Sequence, residues 1–182
     1  MNIVEAEISD LELFFNYLDK QLEKNGSDEF DLFQPIATKD CQVSDQLRNK
    51  FRIGFDVDLG NSAWRKLWLV KDQVGHICGH IDLRHSGNEY GYHRVLLGMG
   101  VDTNYRKKGI GLNLIDTVVN FCMINQSIDW LDLNVLSCNL PAKSLYLKSG
   151  FQIIGECPDC YRIDGKSISE IAMVMDVSRI YA

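Results

Sequence analysis

The stretch Val101-Asp102-Thr103-Asn104-Tyr105-Arg106-Lys107-Lys108-Gly109-Ile110-Gly111-Leu112 concentrates the residue types that hold an anion. It reads as the end of a strand, a basic loop containing Arg-x-x-Gly-x-Gly, and the start of a helix. Physically this is a phosphate cradle. A helix start leaves its first amides unpaired and partly positive, and a turn can point successive N–H groups inward. Gly109 and Gly111 carry no Cβ, so a phosphate can approach the backbone closely. Arg106, Lys107 and Lys108 add positive charge. The ordinary alternative is a tight strand-to-helix connection with solvated cations. Two better-known phosphate motifs are absent. There is no Gly-x4-Gly-Lys-Ser/Thr, and Gly98-Met99-Gly100-Val101-Asp102-Thr103 has Thr in place of the third glycine of a dinucleotide fingerprint, with no helix directly after it.

Six cysteines offer a second kind of chemistry: Cys41, Cys78, Cys122, Cys138, Cys157 and Cys160. Cys157-Pro158-Asp159-Cys160 is a CxxC, but a structural zinc site would want a second pair. A redox pair would open a helix, whereas this one follows the strand-like Phe151-Gln152-Ile153-Ile154. Buried free thiols and no metal are the expectation. His76, Cys78 and His80 would share one strand face, a weaker ligand set with no obvious fourth member. A last constellation lies about 30 residues beyond the basic loop, where Asn139 precedes a short helix carrying Tyr146, and Gly150-Phe151 returns the chain to a strand.

The elements that position these residues follow from periodicity. Asn2 to Ile8 alternates as a strand. Ser9-Asp10-Leu11-Glu12 fits a capping box, and Leu11, Phe14, Phe15, Leu18 and Leu22 follow at helical spacing until Asn25-Gly26. Pro35 breaks an irregular stretch from Asp28 to Asp40, and a second helix starts at Ser44. Leu67–Val70, Val74–Leu83 and His93–Val101 read as strands, the first two as a hairpin. Gly109 opens an amphipathic helix through Cys122, Trp130–Leu136 is a strand, and Pro141 sits in the first turn of the helix that Gly150 ends. Phe151–Ile154 and Ile171–Val177 close the chain. This order predicts an α+β fold: a single mixed, mostly antiparallel sheet of six to seven strands flanked by helices on both faces.

The whole chain fits one domain. It has 182 residues, 46% of them hydrophobic and 24% charged, the balance of an ordinary globule, which excludes disorder and collagen-like repeats. Lys and Arg number 19 against 25 Asp and Glu, a net charge of −6, which argues against nucleic acid or an anionic membrane as partner. The first seven residues carry acids and no Lys or Arg, unlike a secretory leader, and no apolar run approaches the ~18–20 residues that span a bilayer. A cytoplasmic location is expected.

Taken together with Asn139 and Tyr146, the Arg106–Gly111 loop resembles the GNAT (Gcn5-related) N-acetyltransferase family, which uses acetyl-coenzyme A as cosubstrate. The resemblance is carried from about Leu67 to Val177, while residues 1–66 agree only in their strand-helix-helix order. It implies a single GNAT domain whose residues 1–66 serve the substrate side and 67–182 the acetyl-CoA-binding core. It further implies that Arg106, Lys107, Lys108, Gly109, Ile110, Gly111 and Leu112 surround the pyrophosphate. Met99, Gly100 and Val101 would pair with the pantetheine arm, with the Met99 N–H as oxyanion donor, and Asn139 would bond that arm. Gly98 and Gly100 suit a bulge or a close backbone approach. Tyr146 falls where many members place the acid that protonates the departing thiolate, a sensible use of a phenol of pKa ≈ 10.

The family's general bases are missing. Positions where members carry Glu are Val95 and Asn134 here, which leaves Asp82, Glu89, His93 or Asp132 acting through water, or an amine already neutral. The resulting expectation is acetyl transfer to a primary amine, on a small molecule or a peptide, by direct attack. A catalytically silent acyl-CoA-binding module is the alternative. Asp164-Gly165-Lys166 resembles the family's closing hairpin, although Ser169 stands where Asp is common. The acceptor is expected to meet residues 25–62 and the 84–92 loop, with Trp64, Trp68, Phe30, Phe33 and Phe55 as candidate lining. The oligomeric state is left open, a homodimer among the alternatives.

Overall fold

The computed structural model describes residues 1–27 and 32–178. Its elements are β1 (Asn2–Glu5), α1 (Leu11–Leu22), α2 (Asp45–Phe55), β2 (Arg65–Lys71), β3 (Ile77–Arg84), β4 (Arg94–Val101), α3 (Ile110–Ile124), β5 (Trp130–Leu136), α4 (Leu140–Lys148), β6 (Gln152–Ile163) and β7 (Lys166–Asp176). They follow the predicted order, with 3-10 turns added at Ile8–Asp10, Thr38–Asp40, Glu89–Gly91 and Thr103–Tyr105. The strands form one seven-stranded sheet in the order β1-β2-β3-β4-β5-β7-β6. Every neighbouring pair is antiparallel except β4–β5. Among the described residues no helix is long and apolar enough to cross a membrane.

Boundaries depart from the predicted ones where a side chain captures backbone. The helix α1 is entered not through Ser9 but through Asp10, whose carboxylate accepts from the Glu7 N–H at 3.0 Å, and Ser9 lies inside the preceding turn. The strand β3 begins at Ile77 rather than Val74. Asp72 Oδ1 accepts from the Val74 and His76 N–H groups at 3.0 and 2.9 Å, and Gly75 takes φ +88°, so the turn is longer. Both closing strands are longer than read, and the register of β6 shifts between Cys157 and Tyr161, which places the CxxC in an irregular part of the strand.

Two packed layers result. Leu114, Ile115, Val118 and Cys122 of α3 and Tyr146 of α4 cover one face, against Ile81, Leu83, Val95, Leu131 and Met173. Phe14, Phe15 and Leu22 of α1 and Phe51 of α2 cover the other, against Leu67 and Leu69. On that second face α1 packs on β3 and α2 on β2. The half over β5, β7 and β6 is crossed by the segment leading out of α1: the Leu32 carbonyl accepts from Cys138 Sγ at 3.6 Å, and Thr38 bonds Asp164 in the β6–β7 turn.

Candidate functional site

The site begins with a broken pairing. The strands β4 and β5 are in register only at Arg94–Trp130, Val95–Leu131 and Leu96–Asp132, yet β4 stays paired to β3 as far as Val101 and β5 to β7 as far as Leu136. The two therefore splay. The Asp102 N–H donates to the Cys78 carbonyl of β3 at 2.9 Å. By the alternation of an antiparallel ladder, Gly98 and Gly100 also turn their main-chain groups to β3, while Met99 and Val101 turn theirs into the gap. An extended ligand can add there as a strand does.

The next loop carries the predicted cradle. Lys107 has φ +59° and Gly109 φ +79°, with Lys108 between them outside the left-handed region. Alternation of hand makes successive N–H groups converge. A non-glycine residue in that conformation costs about 1–2 kcal/mol, tolerated at Lys107 for the shape it gives. Gly109 is the N-cap of α3, no side chain caps the helix, and no acid lies in its first turn. The amides of Ile110, Gly111 and Leu112 face outward beside three cations, an arrangement that repels the helix dipole unless an anion joins it. Of the cations, Lys108 Nζ donates to the Asn104 carbonyl at 3.1 Å and lies over the Tyr105 ring, and Arg106 Nε donates to the Val101 carbonyl at 3.2 Å. Lys107 is exposed, with no ion-pair partner among the described residues.

The two glycines differ in their reasons. A Cβ on Gly109 would meet open space, so that position answers to its positive φ. A Cβ on Gly111 would stand 2.7 Å from Leu145 Cδ2 of α4 and 3.6 Å from Met99 Cε. Gly111 therefore also leaves room for Leu145 of α4 beneath the gap. The same holds for β4. Its pairing with β3 has no bulge, and Cβ atoms on Gly98 and Gly100 would strike Asp82 Oδ1 at 2.6 Å and His80 Cε1 at 2.8 Å. Neighbouring side chains on β3 occupy the space a Cβ would take at both glycines.

Asn139 is the N-cap of α4, its Oδ1 accepting from the Ala142 N–H at 3.2 Å, which leaves the NH2 pointing elsewhere. Tyr146 is 7% exposed, edge-on to Phe151 at 5.6 Å between ring centres. Burial pushes its phenol above the ordinary value, so it stays protonated. No hydrogen bond to its hydroxyl occurs among the described residues. Leu145, its neighbour, reaches Gly111, which brings this end of α4 to the foot of the cradle.

Two of the candidate bases are held in ion pairs. Asp82 lies buried between Arg65 and Arg84, at 3.3 and 2.9 Å. Asp132 is held by Arg94, which also stacks on Trp130. Glu89 and His93 are exposed before the start of β4. His76, Cys78 and His80 do not share a face. The bulge where Lys71 pairs with Ile77 separates them: His76 is exposed in the turn, Cys78 joins the α3 side, and His80 packs edge-on to Phe14 and Tyr17. Trp64 and Trp68 belong to the α3-side core with Phe121, and Phe33 and Phe55 pack against the α1–α2 cluster. Phe30 lies outside the described residues.

Several functional contacts have no local signature. Tyr17 Oη and Gln21 Nε2 of α1 and Lys24 Nζ just beyond its end donate to the Gly100 carbonyl, to Asp102 Oδ2 at 2.8 Å and to Thr103 Oγ1, pinning the end of β4. Gln21, polar inside an apolar stripe, is the trace that sequence alone offers. Thr38 donates through N–H and hydroxyl to Asp164 Oδ2 at 3.1 and 2.8 Å, and those bonds hold the carboxyl below its usual range.

With this geometry in place, the comparisons with known proteins fall into line. A family model described as an acetyltransferase (GNAT) domain matches residues 63–153. The zebrafish (Danio rerio) N-alpha-acetyltransferase 50 is 32% identical over 89 residues, 49% of this chain and 51% of that protein, so the chain spans about half the length of that relative. The solved acetyltransferase of the GNAT family from Streptococcus pneumoniae superposes with a TM-score of 0.78 at 20% identity, covering 96% of this chain and 98% of that one. A GNAT superfamily phosphinothricin acetyltransferase from Sinorhizobium meliloti, solved with AcCoA, gives 0.75 at 15% identity over 96% and 87%. At such identities the structural likeness is one of fold, and it spans the first 66 residues as well as the matched core. The splayed strands and the uncapped helix therefore have a family: this chain belongs to the GNAT acetyltransferases.

Proposed function

We propose that the protein transfers the acetyl group of acetyl-CoA to a primary amine. The observation that carries the reading is the α3 N-terminus, where converging amides from Lys107 to Leu112 and three cations have no anion of their own among the described residues. A coenzyme diphosphate fits that chemistry, and the pantetheine arm fits the Met99 and Val101 main-chain groups in the gap. The relatives' names and the AcCoA complex of the Sinorhizobium protein support the same cosubstrate.

Each residue then has a task. The Met99 N–H donates to the thioester oxygen as it gains charge, from a rigid strand that needs no reorganisation. The Tyr146 phenol gives its proton to the departing thiolate, a transfer worth on the order of 10²–10⁴ in rate. The acceptor amine loses its proton to water at the open side of the gap, where Asn134 is exposed and the neighbouring Asp132 is paired with Arg94. A coenzyme A release assay with saturating acetyl-CoA and a panel of amines tests the reading. Release that depends on the amine is expected. Tight binding of acetyl-CoA with no release above hydrolysis would instead favour a silent acyl-CoA-binding module.

A further inference from the structure

Resting on that reading, we propose that Glu170 recognises the acceptor, its carboxylate taking a cationic group carried some carbons away from the reacting amine. Register fixes its face. Ile171, Met173 and Met175 of β7 lie in the α3-side core, so Glu170 turns to the other face, the one crossed by residues 32–40. There it is half-buried, opposite Leu136 on β5 and Cys157 on β6. Extending the Leu96–Asp132 register by four residues brings Gly100 level with Leu136, so Glu170 stands one strand beyond the gap, at the depth of Met99 to Val101. Two strand spacings set a lower bound of ~10 Å between its backbone and β4, which the splay widens.

Its bonding is incomplete in an informative way. Tyr161 donates its hydroxyl to Glu170 Oε1 at 2.9 Å, which aims the carboxylate. Three part-buried acids of this face are ion-paired, Asp82 with Arg65 and Arg84, Asp132 with Arg94 and Asp19 with Arg48, while Asp102 accepts from the amide of Gln21. Among the described residues no Lys or Arg pairs with Glu170. On the nearby hairpin Arg162 pairs with Asp159 and Asp164 bonds Thr38, while Lys166 is exposed. A sheltered carboxylate held by a neutral donor is completed by a cation from outside.

Cadaverine and pentylamine share a five-carbon chain and differ by one terminal ammonium, so their kcat/KM ratio reads the proposal. In the unaltered protein the ratio favours cadaverine by about tenfold or more, through KM. Glu170→Gln brings it close to one, and Glu170→Lys reverses it. Tyr161→Phe, which keeps the carboxylate and loosens its aim, lowers the ratio by about two- to threefold. The acetyl-CoA dissociation constant, measured on every variant, shows that each is folded. An unchanged ratio in Glu170→Gln overturns the proposal, as does a protein that neither acetylates nor binds cadaverine while acetyl-CoA bound. Failure of the transferase reading itself looks different: no amine, pentylamine included, then releases coenzyme A, whether or not acetyl-CoA binds.

Discussion

From Met99 to Leu112 the site is main chain, contiguous in sequence and shaped by where residues are left unpaired: a strand without its neighbour, a helix without a cap. Across the gap the proposed acceptor face is side chain, assembled from Thr38, Tyr161, Asp164 and Glu170, which are up to 132 residues apart (170 − 38). On the proposed function the first half binds what every coenzyme A ester shares, and the second contacts what differs between acceptors. Backbone donors tolerate substitution of neighbouring side chains, whereas a face of scattered side chains changes with single residues. That division explains how one scaffold keeps its cosubstrate and varies its acceptor.

The division can be broken at the point where the halves meet. Tyr146→Phe is expected to lower turnover by about 100-fold while acetyl-CoA affinity stays within about twofold, because only the proton is removed. A matching loss of affinity would make Tyr146 a wall of the coenzyme half and not an acid.

The seat of the coenzyme strand is tested by pH. His80, 8% exposed beneath Gly100, has an Nδ1 with no partner, and burial lowers its pKa to about 4, against an opposing pull from Asp82. An unfolded histidine titrates near 6.5, so between 6.5 and 4 the unfolded chain binds the extra proton. Stability is therefore complete above pH 6.5 and falls as pH drops towards 4, by about 2 kcal/mol between pH 7 and 5 from this group. Denaturant titrations of His80→Leu are expected to lose that part of the slope. An identical slope would place the sensitivity elsewhere.

Gly109→Val comes next in size. Open space surrounds the position, so the penalty is the φ of +79° alone, about 1–2 kcal/mol. Acetyl-CoA affinity should fall about tenfold, with relative preference among acceptors untouched. The mirror experiment is the gentlest. Asp164→Asn weakens the tie to Thr38 and is expected to raise the acceptor KM by about two- to threefold without moving acetyl-CoA affinity. If both parameters shift together in both variants, the halves are not independent.

Legibility in the sequence follows the same line. The strand Trp130–Leu136 and the Gly109 start of α3 agree with their predicted limits because apolar alternation and a glycine at a helix start are local properties. The start of β3 was not legible, since Asp72 captures two amides beyond Gln73. Nor was the length of β6, where Gly155 and Pro158 interrupt a strand that pairing with β7 sustains. In the site, the basic loop and Tyr146 stand out by type and position. Glu170 does not, because its worth lies in a hydroxyl nine residues back and in the absence of a cation, neither of which a spacing reveals. Asp82 and Asp132 mislead for the converse reason: their arginines are distant in sequence or hidden by the pleat.

The most direct test of the anion cradle is an amide-proton NMR titration with acetyl-CoA, read at Gly109, Ile110, Gly111 and Leu112. Saturable downfield shifts at these four amides, lost when the ligand is S-acetylpantetheine without the diphosphate, are expected. Shifts confined to other parts of the chain, with these amides unmoved at saturation, would contradict the account.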